Sequence, residues 1–459
     1  MIKPLFIGSL LLCLLYAGCK KKDQLPQEDL PTETAINTWI LQQLQKYYYW
    51  NSELPARPVL NQDPVRFFNA LKNTADRFST LYYKKDPSSI AGTLMNTFGI
   101  DIVGVVNQDR FQVVIIQTVP GSEAAAKGLT RGQLIKALNG QPVTSDNIAL
   151  LVQEAIKQKS ILITKDDNTT VAIAAGYIAE PVVYKQAIFA AEHTKTGYLF
   201  LNSFEFHGAY EILEAFELFR TSGVRDLVID LRYNTGGSVP FTAFLAALVA
   251  PVKEDQLFVT FKGNNHAGTI NSSFSNELQK QPDGYNFSWV QLAAHRLTIS
   301  RVYILTGRHT ISAAELFINN LKPYIKVIQI GETTFGKDMA SLEIKDDRNP
   351  PVITDLILYP MVFKMYNARG AGNYAAGIPP DYMLPDPGAL PLYPIGDSRE
   401  PLLNKALSLI QGAPPTATQT LKQPPALSIT YSSRAATGGI PLIISLPERS
   451  RKKTAEIIL

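Results

Sequence analysis

Cysteine is almost missing from these 459 residues: there are two, Cys13 and Cys19, both ahead of the stretch that reads as folded. A disulfide framework and a cysteine-based metal site are therefore excluded. Histidine is scarce as well, with 5 scattered copies and no HxxxH pair, which argues against a zinc enzyme. No metal or organic cofactor is expected. Neither charge sign dominates, since 44 Lys+Arg stand against 40 Asp+Glu for a formal net charge of +4. Interspersed signs leave no basic face to grip a phosphate backbone, so nucleic acid is not an expected partner. Charged residues are only 18% and hydrophobic residues 46%, a balance that excludes a wholly disordered chain. The length exceeds what one core usually organises, and several domains are expected.

Long apolar runs are lacking too. Residues 5–17 form the apolar run behind Lys3, shorter than the ~20 residues that span a bilayer as a helix but suited to a signal-peptide core. The run ends in Leu15-Tyr16-Ala17-Gly18-Cys19, followed by Lys20-Lys21-Lys22. This stretch resembles a bacterial lipobox, in which the peptide is cut before the cysteine and the thiol is lipidated. The resemblance implies a signal peptide over 1–18, lipidation at Cys19 and a polar tether over 19–31. The chain would then sit in the cell envelope, lipid-anchored to a bacterial membrane and facing the periplasm or the surface.

Beyond the tether, residues 32–90 read as a small helical domain. Ile36, Trp39, Ile40, Leu44 and Tyr47-Tyr48 recur at helix spacing, and Phe67, Phe68 and Leu71 start a second run. The cluster Tyr47-Tyr48-Tyr49-Trp50 is read as packing this domain onto the rest. Short strands take over across 93–175, with Phe98-Gly99-Ile100, the stretch Pro120-Gly121-Ser122-Glu123-Ala124, the turn Asn139-Gly140 and a helix over 148–157. This texture resembles a PDZ domain of the bacterial protease type. The resemblance implies a groove that takes an extended chain as an added strand, with amides near Phe98, Gly99 and Ile100 receiving a C-terminal carboxylate. Residues 177–411 repeat strand-then-helix order, which argues a layered α/β domain. Pro-, Thr- and Ser-rich residues then mark 412–459 as a weakly ordered tail, with one candidate strand at 442–446.

Three segments of the α/β region carry chemistry. In Asp230-Leu231-Arg232-Tyr233-Asn234-Thr235-Gly236-Gly237 a buried strand ends in paired glycines, which turn the backbone sharply and leave amides to face a reacting oxygen. In Ile311-Ser312-Ala313-Ala314-Glu315 the serine opens a helix, where it is either a nucleophile near positive dipole ends or the cap of a box closed by Glu315. In Gly331-Glu332-Thr333-Thr334-Phe335-Gly336-Lys337 the lysine is either a surface charge or one drawn inside, where burial lowers its pKa enough to take a hydroxyl proton. His207 and His309 are read as structural or solvent-facing.

Taken in order, the three segments resemble the tail-specific, or C-terminal processing, serine proteases. The interval of 25 from Ser312 to Lys337 is usual in that family's bacterial members, and Gly377-Ile378-Pro379-Pro380-Asp381 also fits. The resemblance implies a multidomain α/β chain with a crotonase-like ββα protease core, an inserted or preceding PDZ domain and a small N-terminal helical domain. It implies a serine endopeptidase acting on proteins or peptides with free C-termini, with Ser312 as nucleophile and Lys337 as general base. Gly236, Gly237 and Ala313 would supply the oxyanion hole. Ser341 stands four residues after Lys337, where many relatives have glutamine, and is left to orient the amine. Because the same fold family includes carriers without proteolysis, the alternative is a non-proteolytic ligand- or peptide-binding protein.

Overall fold

The computed structural model describes residues 31–85, 92–192, 194–412 and 427–434. Its central layer comes from four apolar runs. Lys195–Leu201, Asp226–Asp230, Arg301–Thr306 and Lys326–Gly331 lie parallel as neighbours in a six-stranded sheet. Tyr382–Met383 extends one edge in parallel, and Val183–Ala190 closes the other antiparallel. Side chains alternate between two cores, as the strand period of 2 requires. Leu227, Ile229, Leu199 and Ile304 enter one, while Val228, Tyr198, Phe200 and Leu305 enter the other.

The first core holds the helices Val239–Val249 and Ala313–Leu321. Every residue of Val239–Val249 is buried, as expected of a helix with no polar face to offer water. It starts at Val239 because Ser238 caps it and Pro240 suits the first turn. Behind it an antiparallel sheet of Thr269–Ser273, Leu257–Lys262, Met361–Tyr366 and Met339–Ser341 adds Val259, Phe261 and Phe363 to the same core.

The N-terminal helices Glu33–Tyr47 and Pro64–Leu71 have no core of their own. Their Trp39, Ile40, Leu44, Phe67 and Phe68 join that first core, and so does Tyr48 from the aromatic cluster. The Tyr48 hydroxyl donates to Asp76 Oδ2 at 2.7 Å, and Tyr49 N–H donates to Met361 O at 2.9 Å. The segment also ends in a strand, Thr80–Tyr83, paired antiparallel with Leu356–Tyr359, so it is not purely helical.

Residues 94–174 form a module with its own core of Phe98, Ile100, Ile102, Val113, Ile115, Leu151 and Val152 beneath the helix Ile148–Gln158. The opposite face of its sheet, through Val103, Val105, Val114 and Ile116, packs into the second core of the α/β unit. The sheet runs in the order Ser428–Ser432, Ile100–Asn107, Arg110–Thr118, Leu134–Leu138, Ser160–Lys165, Thr170–Ala174. Its first strand corrects the expectation of a weakly ordered 412–459 tail for residues 428–432. Residues 428–432 pair antiparallel with Ile100–Asn107 from Ser428 opposite Val106 to Ser432 opposite Val103. The expected signal peptide, the Cys19 lipidation site, nearly all of the tether and the candidate strand at 442–446 lie outside the described residues.

A buried ionic cluster ties the layers together where Asp226–Asp230 ends. Arg232, 1% exposed, donates to Asp230 and to both oxygens of Glu400 at 2.8 Å, and to Asp386 at 3.3 Å. Tyr233 donates to Asp386 Oδ2 at 2.6 Å, and Arg131 Nη2 reaches the other oxygen at 3.1 Å.

Candidate active site

Two turns at the C-terminal ends of adjacent parallel strands build the site. The first follows Asp226–Asp230, and Asn234 organises it. Its Nδ2 donates to Leu201 O at 2.9 Å, its Oδ1 accepts from Gly236 N–H at 2.9 Å, and its carbonyl accepts from Ile311 N–H at 2.9 Å. Gly236, at φ 108°, lies so close to the second turn that a Cβ there would sit 2.9 Å from the Cβ of Ser312. Only glycine permits that approach.

The second turn presents Ser312 at the head of Ala313–Leu321. Its backbone is in the left-handed region, φ 63° and ψ −112°, at a cost of about 1–3 kcal/mol. The side chain is fully buried, and its Oγ, although in the capping-box position, has no hydrogen-bond partner among the described residues. A buried hydroxyl without a partner is uncommon in a folded core.

Glu315 does more than close a capping box. Its Oε2 accepts from the N–H of Ser312 at 2.9 Å and from the N–H of Lys337 at 2.7 Å. Its Oε1 accepts from Gly336 N–H and from the Thr334 hydroxyl, both at 2.6 Å. One carboxylate thus fixes the serine turn against the 334–337 segment. Spacing on a helix signals the first bond, while the other three donors come from residues 334–337.

Lys337 is 2% exposed, drawn inside rather than left on the surface. Burial pushes its pKa down to about 8, and the Glu315 carboxylate opposes that fall only in part. Its Nζ lies 5.5 Å from the centre of the Phe78 ring. Arg77 stacks over both Phe78 and Phe335 and donates to the Phe335 carbonyl at 3.2 Å. The N-terminal segment therefore supplies one wall beside the amine, a contribution that no sequence pattern announced.

The expected oxyanion donors need one correction. Gly236 N–H is spent on Asn234 Oδ1, so it is not available. Gly237 and Ala313 N–H donate to no group among the described residues, which leaves those two amides. Ser341 is fully buried in Met339–Ser341 opposite Met361. His309 is buried with Nε2 3.1 Å from Ser432 Oγ, and burial with nearby Arg434 pushes its pKa down to about 4. It faces the tail strand, while His207 lies exposed in the turn Phe206–Gly208.

Of the expected carboxylate cradle at Phe98, Gly99 and Ile100, the Gly99 amide is already engaged. All three residues are buried, and Gly99 N–H caps the helix Leu94–Phe98 by donating to Met95 O at 2.9 Å. The edge of Ile100–Asn107 away from Arg110–Thr118 is filled by Ser428–Ser432.

Glu205 is a site neighbour that sequence reasoning missed, because no motif surrounds it. Its Oε1 would lie 3.0 Å from a Cβ placed on Gly237. Burial alone pushes its pKa up to about 7. Below about pH 4.5 the carboxyl is protonated folded or unfolded, so the burial cost is absent. Above pH 7 it is ionised in both states and the cost is complete. Glu205→Gln should therefore raise stability at pH 8 by about 1–2 kcal/mol, allowing for partial exposure, and leave it unchanged at pH 4. Urea melts at the two pH values check this; equal effects at both would contradict it.

Among the described residues no group of three or more His, Cys, Asp and Glu side chains is placed to hold a metal ion. No helix among them is long and apolar enough to cross a membrane.

Layered α/β units thus meet at a serine turn and a lysine turn, both held by Glu315. Residues 195–384 match peptidase family S41, and residues 35–80 match the peptidase S41 N-terminal domain. The chain belongs to peptidase family S41. The carboxy-terminal processing protease CtpA of Bacillus subtilis is 24% identical over 331 residues, covering 70% of this chain and 64% of that protein. A carboxyl-terminal-processing protease of Picosynechococcus is 27% identical over 252 residues, covering 52% of this chain and 54% of its own. A probable CtpA-like serine protease of Staphylococcus saprophyticus is 22% identical over 273 residues, 58% of this chain and 50% of that protein. The chain thus spans about half to two thirds of the length of these curated relatives. The crystal structure of a putative S41 protease from Bacteroides fragilis matches with a TM-score of 0.65 at 27% identity, covering 82% of this chain and 97% of that one.

Proposed function

We propose that this protein is a serine endopeptidase working through Ser312 and Lys337. The observation that carries the reading is the shared Glu315 carboxylate, which holds both residues' backbones while the Ser312 hydroxyl stays unpartnered and Lys337 is buried. A neutral lysine takes the hydroxyl proton as Oγ attacks the scissile carbonyl carbon. The developing oxyanion sits on Gly237 and Ala313 N–H. Lysine then passes its proton to the departing amine, leaving an acyl-serine that water hydrolyses by the same proton route. No cofactor enters this scheme.

Protein chains are the proposed substrates. Residues 94–174 support a PDZ-type reading through their strand order and the helix Ile148–Gln158. While Ser428–Ser432 is seated, that module does not take a chain end along Ile100–Asn107. Lipid attachment at Cys19 and an envelope location are proposed from the lipobox resemblance. Loss of Cys19→Ala from the membrane fraction of a bacterial host would support them, and full retention would refute them.

The activity is tested with a fluorophosphonate probe, followed by mass-spectrometric mapping of cuts in an unfolded protein. Labelling at Ser312 together with defined cuts is expected. Binding of peptides without labelling or cleavage would instead favour the non-proteolytic alternative.

A further inference from the structure

Residues 427–434 touch both turns of the site. Leu427 is buried in the second core, and the strand Ser428–Ser432 then runs along Ile100–Asn107 toward the α/β unit. Its last residue, Ser432, bonds His309 Nε2 at 3.1 Å, three residues ahead of Ser312. Ser433 N–H donates to Ile102 O at 3.0 Å, and its hydroxyl donates to Asp101 Oδ1 at 2.9 Å. Arg434 is then delivered inside, only 6% exposed. Its guanidinium donates to Asp101 Oδ2 at 2.5 Å, Gln117 Oε1 at 2.9 Å and Glu180 Oε2 at 3.3 Å. Its remaining arm, Nη1, donates to the backbone carbonyl of Tyr233 at 2.9 Å.

That last bond stands out. Asp101, Gln117 and Glu180 belong to the 94–174 module or the link after it, whereas Tyr233 immediately precedes Asn234, which orders both turns. A charged donor on a main-chain carbonyl is stronger and shorter than a neutral one, and a planar fork fixes direction as well as distance. Resting on the endopeptidase reading above, we infer that Arg434 is a positioning residue for the reaction at Ser312. Seated by the Ser428–Ser432 strand, it holds the Tyr233–Gly237 turn from one side while Ser432 holds the His309 turn from the other. The tail is thus the clamp that sets the distance between the Gly237 amide and the Ser312 hydroxyl.

The position argues against a merely structural role. An arginine needed only to neutralise Asp101 and Glu180 has no reason to spend an arm on a neutral carbonyl of the catalytic turn. Misplacing reacting groups by about 1 Å costs on the order of 10²-fold in rate. In the full-length chain, Arg434→Gln should lower kcat at least about ten-fold with KM changed less than about two-fold, and slow fluorophosphonate labelling of Ser312 in step. Arg434→Lys should fall between, because a single ammonium serves the acids but not the fork. Arg434→Ala should recover part of its kcat when millimolar guanidinium is added, since the free ion fits the vacated donor position. Ser432→Ala should lower kcat several-fold.

Wild-type kcat and labelling rate in Arg434→Gln, with only a lower melting temperature, would overturn the inference. A rise in kcat would overturn it too, by making the strand a blocking occupant. If Arg434→Gln does not fold, Arg434→Lys and Ser432→Ala are judged by the same kcat criterion. The wild-type chain separates the two readings: no labelling and no cuts sink the endopeptidase proposal itself, whereas a labelled, cutting wild type with unaffected variants sinks only the role of Arg434.

Discussion

Alanine at Ser312 should remove peptide cleavage, by at least about 10⁴-fold in kcat, and alanine at Lys337 should do nearly as much. The serine hydroxyl is a poor nucleophile until something takes its proton, and in the proposed dyad that group is the Lys337 amine, held at a pKa of about 8. The pH profile follows from that value. Rates should climb from pH 6 to a plateau above about 9, with the midpoint near 8, because only the neutral amine accepts a proton. Lys337→Arg should be as dead as the alanine variant, since guanidinium stays protonated. A midpoint near 6 to 7 that disappears in a histidine variant would overturn the assignment. The same burial has a thermodynamic signature. Below pH 8 Lys337 is charged in both the folded and unfolded states, so the folded protein bears the whole cost of enclosing the ammonium. That cost fades as pH rises from 8 toward 10.5, so stability should increase over this window. Lys337→Met should therefore be inactive yet more stable at pH 7, by roughly 2–3 kcal/mol.

Arg232→Met should destabilise the whole fold by about 3–5 kcal/mol, the largest stability effect expected from one substitution. The side chain would still fill much of the space, but the carboxylates of Asp230, Asp386 and Glu400 would lose their shared cation. Burial resists ionisation at Asp386 and Glu400, and the arginine charge overcomes it, holding both below the usual carboxylate range. In the wild type, the stability from these two acids is present above about pH 4.5 and lost as the pH falls through their lowered values. In Arg232→Met the sign reverses, and mild acid should help by protonating Asp230 and Glu400, while Asp386 keeps Arg131. Urea melts between pH 5 and 8 test this, and a variant within about 1 kcal/mol of wild type at pH 7 would show the cluster to be dispensable.

Much of the site could be read from the chain because its parts announce themselves locally. Paired glycines after an apolar strand, a serine opening a helix and a lysine after a tight turn each have a conformational reason to be where they are. Local logic stopped short where side chains compete. It could not distinguish Gly236 from Gly237, since the choice depends on Asn234 turning its own oxygen onto the first amide. Glu315 was visible as one half of a capping box, but its three other donors come from the 334–337 segment. Phe78 and Glu205 carry no pattern at all, and only tertiary packing brings them to the site. The fold shows the same division. Asp226–Asp230 and Arg301–Thr306 appear where β-branched runs place them, whereas the Ser428–Ser432 strand hid among Pro-, Thr- and Ser-rich neighbours. Its alternating Ile429 and Tyr431 make sense only once the partner strand, more than 300 residues away in sequence, is known.

That strand also sets an order of events during manufacture. A ribosome emits residues 427–434 after every other described residue, so the Ile100–Asn107 edge waits through most of synthesis with its hydrogen-bonding groups unmatched. An unmatched edge is the part of a sheet that pairs with the wrong chain. Chains ending prematurely anywhere before residue 427 would keep that edge open and leave the Tyr233 carbonyl without its arginine, making them sticky and catalytically unset together. Synthesis through residue 434 thus becomes, on the proposed role of Arg434, a condition for both closure of the module's edge and assembly of a working site. On the proposed role of Arg434, the site stays unset until residue 434 has been made.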